Sequence, residues 1–259
     1  MKRTVVAEIK REQIKKLVSS GKRIDGRKFD QMRELSIEVN PIGPAEGSAR
    51  VKLGKTDVIV GIKMTPGTPF PDKPGEGVLM TGNELKPMAH PDFESGPPNP
   101  DSVEIARVVD RGIRESRMLD MEKLCIVPGE KVWIVNLDIQ AIDFDGNMID
   151  AATIAGTIAL HNAKVPASRF GLGEDSKMPV KGWPLTATFV KLGGCMMADP
   201  NFTEEQLADA RLTVSIGENG NVHAMQKGLS GALTYEEVSR SIDLATSLTS
   251  ELRKKIKVR

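Results

Sequence analysis

VWIVNLDIQAIDFDGNMIDAATIAGTIALHNAKVP, residues Val132 to Pro166, reads as a strand, a tight turn and a helix in one run. Val132 to Phe144 alternates or runs together Val, Ile, Trp and Leu, the pattern of a largely buried strand. Asp145-Gly146-Asn147 breaks it with residues that tolerate positive φ. Ala151 to Leu160, AATIAGTIAL, then follows as a helix that is small and apolar nearly all round. With so little polar face, such a helix belongs in the centre of a domain or against a partner subunit. The turn before it is a place where N–H groups at a helix start can hold a phosphate.

Outward from this unit, the chain is expected to run strands and then a helix in each half. Leu35 to Val39, Ser48 to Leu53 and Val58 to Met64 read as an antiparallel meander, with Gly54-Lys55-Thr56-Asp57 as a hairpin turn. Thr65 to Gly77, with prolines at 66, 69, 71 and 74, is expected to leave the ladder as a loop. Val78 to Leu85 is a further strand, and His90 to Pro100 is a second proline-rich loop. In the second half, Leu185 to Leu192, Cys195 to Ala198, Leu212 to Ile216 and Val222 to Lys227 read as strands. Asp199 to Asp209 is expected to be an acidic, turn-rich connection between them. An amphipathic helix carrying Val6, Ile9, Ile14, Leu17 and Val18 opens the chain and ends at Gly21. Thr234 and Glu237 form a capping box that opens a closing helix to Lys257. Strands grouped in this way, with helices on one face, define an α+β class.

The 259 residues can bury roughly three quarters of their unfolded surface, and they are read as a single domain, residues 1–259. A formal net charge of +1 excludes nucleic-acid or membrane binding driven by bulk charge, so such a role needs a local patch. Met1 to Lys16 has no apolar signal region, and no apolar run reaches membrane-spanning length. Cys125 and Cys195, far apart in sequence, read as reduced thiols. These features point to a cytoplasmic protein with no membrane partner.

Asp101 to Leu119, DSVEIARVVDRGIRESRML, supplies the one candidate patch. Asp101 or Ser102 can cap it, and Ile105, Val108, Val109 and Ile113 build an apolar face. At 100° per residue, Arg107, Arg111 and Arg114 fall within roughly 60° of one another on the other side, with Arg117 a little further round. This ridge is either a solvated face balanced by Glu104, Asp110 and Glu115 or a track for phosphates, which arginine forks match bidentately. Other chemistry is sparse. His90, His161 and His223 share no metal spacing. No serine sits in a nucleophile elbow, and neither proline-rich loop ends as a nucleotide-binding P-loop does. Arg23-Ile24-Asp25-Gly26-Arg27 reads as a compact charged turn in which an Asp–Arg brace pins a loop, worth about a kcal/mol or less if exposed. Asp199, Glu204, Glu205 and Asp209 are oxygen donors that could hold a divalent ion, or simply a solvated connection.

RIDGR (Arg23 to Arg27), GKTDVIVGIK (Gly54 to Lys63), the strand–turn–helix unit and DPNFTEEQLADARLTVSI (Asp199 to Ile216), in this order, resemble RNase PH-like proteins over about residues 20–245. Within that family the chain is most similar to the non-catalytic subunit of the archaeal exosome. The resemblance implies an RNase PH-like fold (ribosomal protein S5 domain 2-like). It also implies a role in 3′-to-5′ RNA degradation in which inorganic phosphate is the attacking nucleophile. Active members carry an Asp-Gly/Ala-Gly-Thr-Arg turn whose Thr and Arg hold the phosphate. Aligned without gaps, that arginine falls on Ile149. Active members also place two aspartates six residues apart, and counted from Asp199 these positions fall on Glu205 and Arg211. An arginine can neither bind Mg²⁺ nor deliver a proton as a carboxylic acid does. The implied chain therefore has no catalytic residue, no metal site and no cofactor. It would alternate with a catalytic RNase PH-like subunit in a hexameric ring, beneath S1/KH-type RNA-binding cap proteins. Arg107, Arg111, Arg114 and Arg117 would contact single-stranded RNA. The alternative is an autonomous phosphate-dependent exoribonuclease working through Asp199, Glu205 and Asp209.

Overall fold

The computed structural model describes the backbone of residues 5–257 and the side chains of residues 12–256, so Val6, Ile9 and Lys257 as side chains lie outside the described residues. A first sheet is built from β1 (Leu35–Val39), β2 (Gly47–Leu53), β3 (Thr56–Gly67), β4 (Val78–Glu84), β5 (Cys125–Val127) and β6 (Lys131–Asp143). Its order is β1-β2-β3-β6-β4, with β5 also pairing with β6. All pairs are antiparallel except β4 with β6, which is parallel. Two short strands, β7 (Lys164–Val165) and β8 (Ser176–Lys177), pair with each other. The second sheet is β9 (Leu185–Leu192), β10 (Cys195–Ala198), β11 (Ala210–Ile216) and β12 (Val222–Gly228), in the order β10-β9-β11-β12 and antiparallel throughout. Among the described residues the α-helices are α1 (Val5–Ser19), α2 (Pro100–Glu115), α3 (Met148–Asn162), α4 (Phe202–Leu207) and α5 (Tyr235–Lys257). Among the described residues, no helix is long and apolar enough to cross a membrane.

The strand–turn–helix unit forms the centre. Along β6, Trp133, Val135, Leu137, Ile139 and Ala141 are buried, while Ile134, Asn136, Asp138 and Gln140 between them are more open. This is the period-2 alternation of a strand with one covered face. The covering element is α3, every residue of which from Met148 to Leu160 is buried. It touches β2 and β3 of the first sheet, β9 of the second, and α2. Its apolar circumference follows from that position, since no side of it from Met148 to Leu160 meets water. Gly47 lets β2 approach: a Cβ there would collide with the carbonyl oxygen of Ala159 and lie 2.7 Å from the Cα of Ala163. The α2 helix packs on β4 and β12, and α5 on β11 and β9. The α+β class and the grouped strands are as expected.

Several boundaries differ. Pro66 does not end the third strand, because β3 runs on to Gly67 and Pro66 faces Trp133 of β6. On its other side β2 accompanies β3 only as far as the Gly47–Ile62 pair. Pro66 thus sits where the strand has one neighbour, an edge position at which a missing N–H is tolerated. The connection from Asp199 to Asp209 contains the short helix α4, capped reciprocally by Asn201 and Glu204. The cap of α2 is Asn99, whose side chain accepts from the N–H of Ser102, with Pro100 just inside. It is neither Asp101 nor Ser102. The helix stops at Glu115, so Arg117 lies beyond it with φ +52°. The box predicted at the start of α5 is present: Thr234 N–H donates to Glu237, and Glu237 N–H donates to Thr234.

Candidate nucleic-acid interface

The turn between β6 and α3 has Gly146 at φ +79° and Asn147 at φ +51°. It lies hard against the start of α4. A Cβ on Gly146 would come within 2.5 Å of the carbonyl carbon of Asn201 and 2.6 Å of the nitrogen of Phe202. The N–H of Asn147 points out of the turn but is already engaged, donating to Glu205 Oε2 at 2.8 Å. A carboxylate of the chain itself occupies the anion position that a helix start offers. Asn147 Nδ2 donates to Asp150 Oδ2 at 2.8 Å and to Asp199 Oδ1 at 2.7 Å. Ile149 is 3% exposed and is a core side chain.

Asp199, itself buried with φ +48°, is gripped by Arg33. The backbone N–H and Nε of Arg33 donate to Oδ2 at 2.7 and 3.0 Å, and Nη2 donates to Oδ1 at 2.7 Å. Arg27 Nη1 adds a bond to Oδ2 at 3.1 Å. Burial alone would push this carboxyl up, but Arg33 and Asn147 outweigh it and hold Asp199 below the usual carboxylate range. Asp150, fully buried, is shifted the other way. Burial pushes its carboxyl up despite donors from Asn147, Thr186 and Thr188, and the neighbouring charge of Asp199 adds to the rise. Arg23 is the second anchor. Its Nε and Nη2 fork onto Glu204 at 2.9 and 2.5 Å, and Nη1 and Nη2 also donate to the carbonyls of Ala198 and Asp199. Both partners of the Arg23–Glu204 pair have wholly buried side chains. The expected brace is chiefly the Arg27–Asp25 pair at 2.8 Å, with Arg23 Nε 4.0 Å from Asp25. The other arginine of the motif is a buried staple between the N-terminal segment and α4.

These contacts decide the acidic set. Asp199 and Glu204 are committed to guanidinium groups, and Glu205 is shared between Asn147 N–H and Arg211 Nη1, the latter at 3.1 Å. Asp209 follows α4, where its backbone pairs with Lys191 and Gly231. Among the described residues, no three His, Cys, Asp or Glu side chains gather closely enough to hold a metal ion. The carboxylates of Asp199, Glu204 and Glu205 are structural partners, which their sequence spacing could not reveal.

The arginine ridge divides. Arg107 is exposed, and neither a hydrogen bond nor an ion pair involves its side chain among the described residues. Arg111 is half-buried, and its Nη1 donates to Gln226 Oε1 of β12 at 3.1 Å. Both line a cleft of about 500 Å³ together with Glu104 and Gln226, rimmed by the apolar Pro98, Pro100 and Val103. Arg114 is tied back, donating twice to Asp110 at 2.9 Å and once to the carbonyl of Leu79 at 3.1 Å. Arg117 and Arg114 border a different cleft, with Phe70 and Lys73. Helical spacing located the face, but it could not show that Asp110 engages one of its arginines. Sequence reasoning missed Gln226, which carries no local signal.

Arg107 and Arg111 thus line one cleft, and the turn before α3 is filled by the Glu205 carboxylate. Residues 31–166 match the 3′ exoribonuclease family, domain 1, and residues 182–247 match domain 2 of the same family. The chain belongs to the RNase PH family of 3′ exoribonucleases. It is 49% identical over 256 residues to the exosome complex component Rrp42 of Methanocella arvoryzae, covering 99% of this chain and 98% of that one. It is 50% identical over 251 residues to Rrp42 of Thermoplasma acidophilum, covering 97% and 96%. Its structure superposes with a TM-score of 0.95 on a chain of the Archaeoglobus fulgidus exosome with RNA bound to the active site, at 46% identity and covering 98% of this chain and 100% of that one. Rice Rrp46, at a TM-score of 0.70 and 21% identity over 91% of this chain and 98% of that one, shares the fold.

Proposed function

We propose that this chain is a non-catalytic, RNA-binding and structural subunit of an archaeal exosome ring that degrades RNA from its 3′ end by phosphorolysis. The observation that carries the reading is Glu205, bound at once to the N–H of Asn147 and to Arg211. In active members of the family the corresponding turn is open to phosphate and lined by an arginine. Here the turn holds an internal carboxylate, and Ile149 offers no donor. Asp199 cannot turn to a metal without leaving three bonds from Arg33 unmade. The rival, an autonomous exoribonuclease using Asp199, Glu205 and Asp209, would have to break this network before binding either reactant.

In this reading residues 1–259 act as one unit, held together by α3, which packs on both sheets. The bond chemistry belongs to a catalytic RNase PH-like neighbour that alternates with this chain in a hexameric ring. S1/KH-type cap proteins deliver RNA, and the two cysteines, both free thiols, suit a cytoplasmic location. Arg107 and Arg111 are the phosphate contacts, with Arg114 and Arg117 flanking them. Such contacts hold the strand without reading its sequence. Native mass spectrometry of this chain mixed with the catalytic subunit is expected to give a six-membered complex with equal numbers of each. Two separate homo-oligomers would contradict the proposal.

A further inference from the structure

Arg211 occupies the position where the family's active members need a carboxylate, and its contacts reach beyond that lost site. We infer that Arg211 is a positioning residue for the RNA cleft: it neutralises Glu104 and fixes α2 so that Arg107 and Arg111 remain available to phosphates. The inference rests on the RNA-track reading above. The Arg211 side chain is 13% exposed and bridges two carboxylates, Glu205 through Nη1 at 3.1 Å and Glu104 through Nη2 at 2.5 Å. Gly228 on β12 makes the room, since a Cβ there would stand 3.0 Å from Nη2 and 3.2 Å from Nε. Nε itself has no partner among the described residues. The bridge therefore depends on its two carboxylates.

Glu104 lies on α2, lines the same cleft as Arg107 and Arg111, and is one third exposed. It stands three residues before Arg107, the spacing at which helical Glu and Arg pair. Left alone, Glu104 would draw Arg107 into a local ion pair and repel an incoming phosphate. Arg211 holds it from the side of β11, and Arg107 is left unpaired among the described residues. The Arg111–Gln226 bond ties the next turns of α2 to β12. Two polar links to adjacent strands thus set the helix over the second sheet. On this account the substitution that removed a catalytic carboxylate also keeps the RNA-facing arginines free.

The test uses the ring assembled with the catalytic subunit and a labelled single-stranded oligoadenylate, with Kd measured by anisotropy across a salt series. Arg211→Met is expected to weaken binding about tenfold at low salt, and the deficit should shrink as salt rises. Adding Glu104→Gln to Arg211→Met should restore the Kd to within about twofold of the original, because the exposed charge is gone. A double variant as weak as Arg211→Met would overturn the inference and leave Arg211 a packing residue. So would an assembled Arg211→Met ring that binds normally. If the methionine variant does not assemble, Arg211→Gln with and without Glu104→Gln makes the same comparison. Arg107→Glu with Arg111→Glu, run in parallel, separates the two claims. No effect of that pair sinks the RNA-track reading and this inference with it. A loss there, with normal binding by Arg211→Met, sinks the inference alone.

Discussion

Reversing Arg107 and Arg111 together to glutamate is expected to weaken single-stranded RNA binding by the assembled ring about a hundredfold at low salt. Phosphorolysis of that RNA should fall with it, without loss of assembly. The size follows from what the two side chains are doing. Arg107 has no internal partner among the described residues, and Arg111 gives one of its five donors to Gln226, so both keep donors free for phosphate. Losing two phosphate contacts on a single strand should also flatten the dependence of log K on log salt by about 1.4. Arg114→Glu is expected to do much less to RNA, because that guanidinium is already engaged by Asp110 and the Leu79 carbonyl. Affinity measured at four or more salt concentrations distinguishes the cases. Equal losses from Arg107 and Arg114 would mean that the cleft is not the track.

Arg23→Ala is expected to lower the unfolding free energy by about 3–5 kcal/mol, the range for removing one partner of a buried pair. Glu204 would be left with a buried charge facing only the N–H of Asn201 and the more distant Arg27. The carbonyls of Ala198 and Asp199 would lose a donor each. In a domain of this size the melting temperature should fall by roughly 10 °C. Replacing both members, Arg23→Met with Glu204→Gln, should recover part of the loss, since no unpaired charge then remains. Thermal unfolding at neutral pH reads both. The same network predicts an acid limb. A carboxyl whose pKa is lower in the folded than in the unfolded state stabilises the fold above its unfolded value, and that contribution fades as pH falls through the folded value. Asp199 is held low. The stability gap between the native chain and Asp199→Asn should therefore narrow as pH drops below about 4.

The two sites differ in how far they could be read from the chain. The β6–turn–α3 unit was legible because its signals are local: alternation, then Gly and Asn at positive φ, then a helix without a polar face. The arginine face of α2 was legible for the same reason, since one helix fixes its own period. The limits appear where the partner is distant. Arg23 reads as part of a surface turn, yet its partner Glu204 is 181 residues away. Pro66 reads as a strand end because nothing local tells that β2 has already stopped beside it. The helix α4 escapes a sequence reading although Asn201 and Glu204 stand at capping-box spacing, since six residues give too little periodicity to register. The replaced carboxylate at Arg211 is visible once the resemblance is drawn, but its bridge to Glu104 needs two elements brought together by the fold.

The most direct test of the central claim, that this chain supports catalysis without performing it, is release of nucleoside diphosphates from single-stranded RNA on addition of inorganic phosphate. It compares this chain alone, the catalytic subunit alone and the two together. The account predicts no diphosphate from this chain alone at any phosphate concentration, and release by the mixture above that of the catalytic subunit by itself. Phosphate-dependent release by this chain alone, abolished by Asp199→Asn or Glu205→Gln in a folded protein, would contradict it and make the buried network an active site.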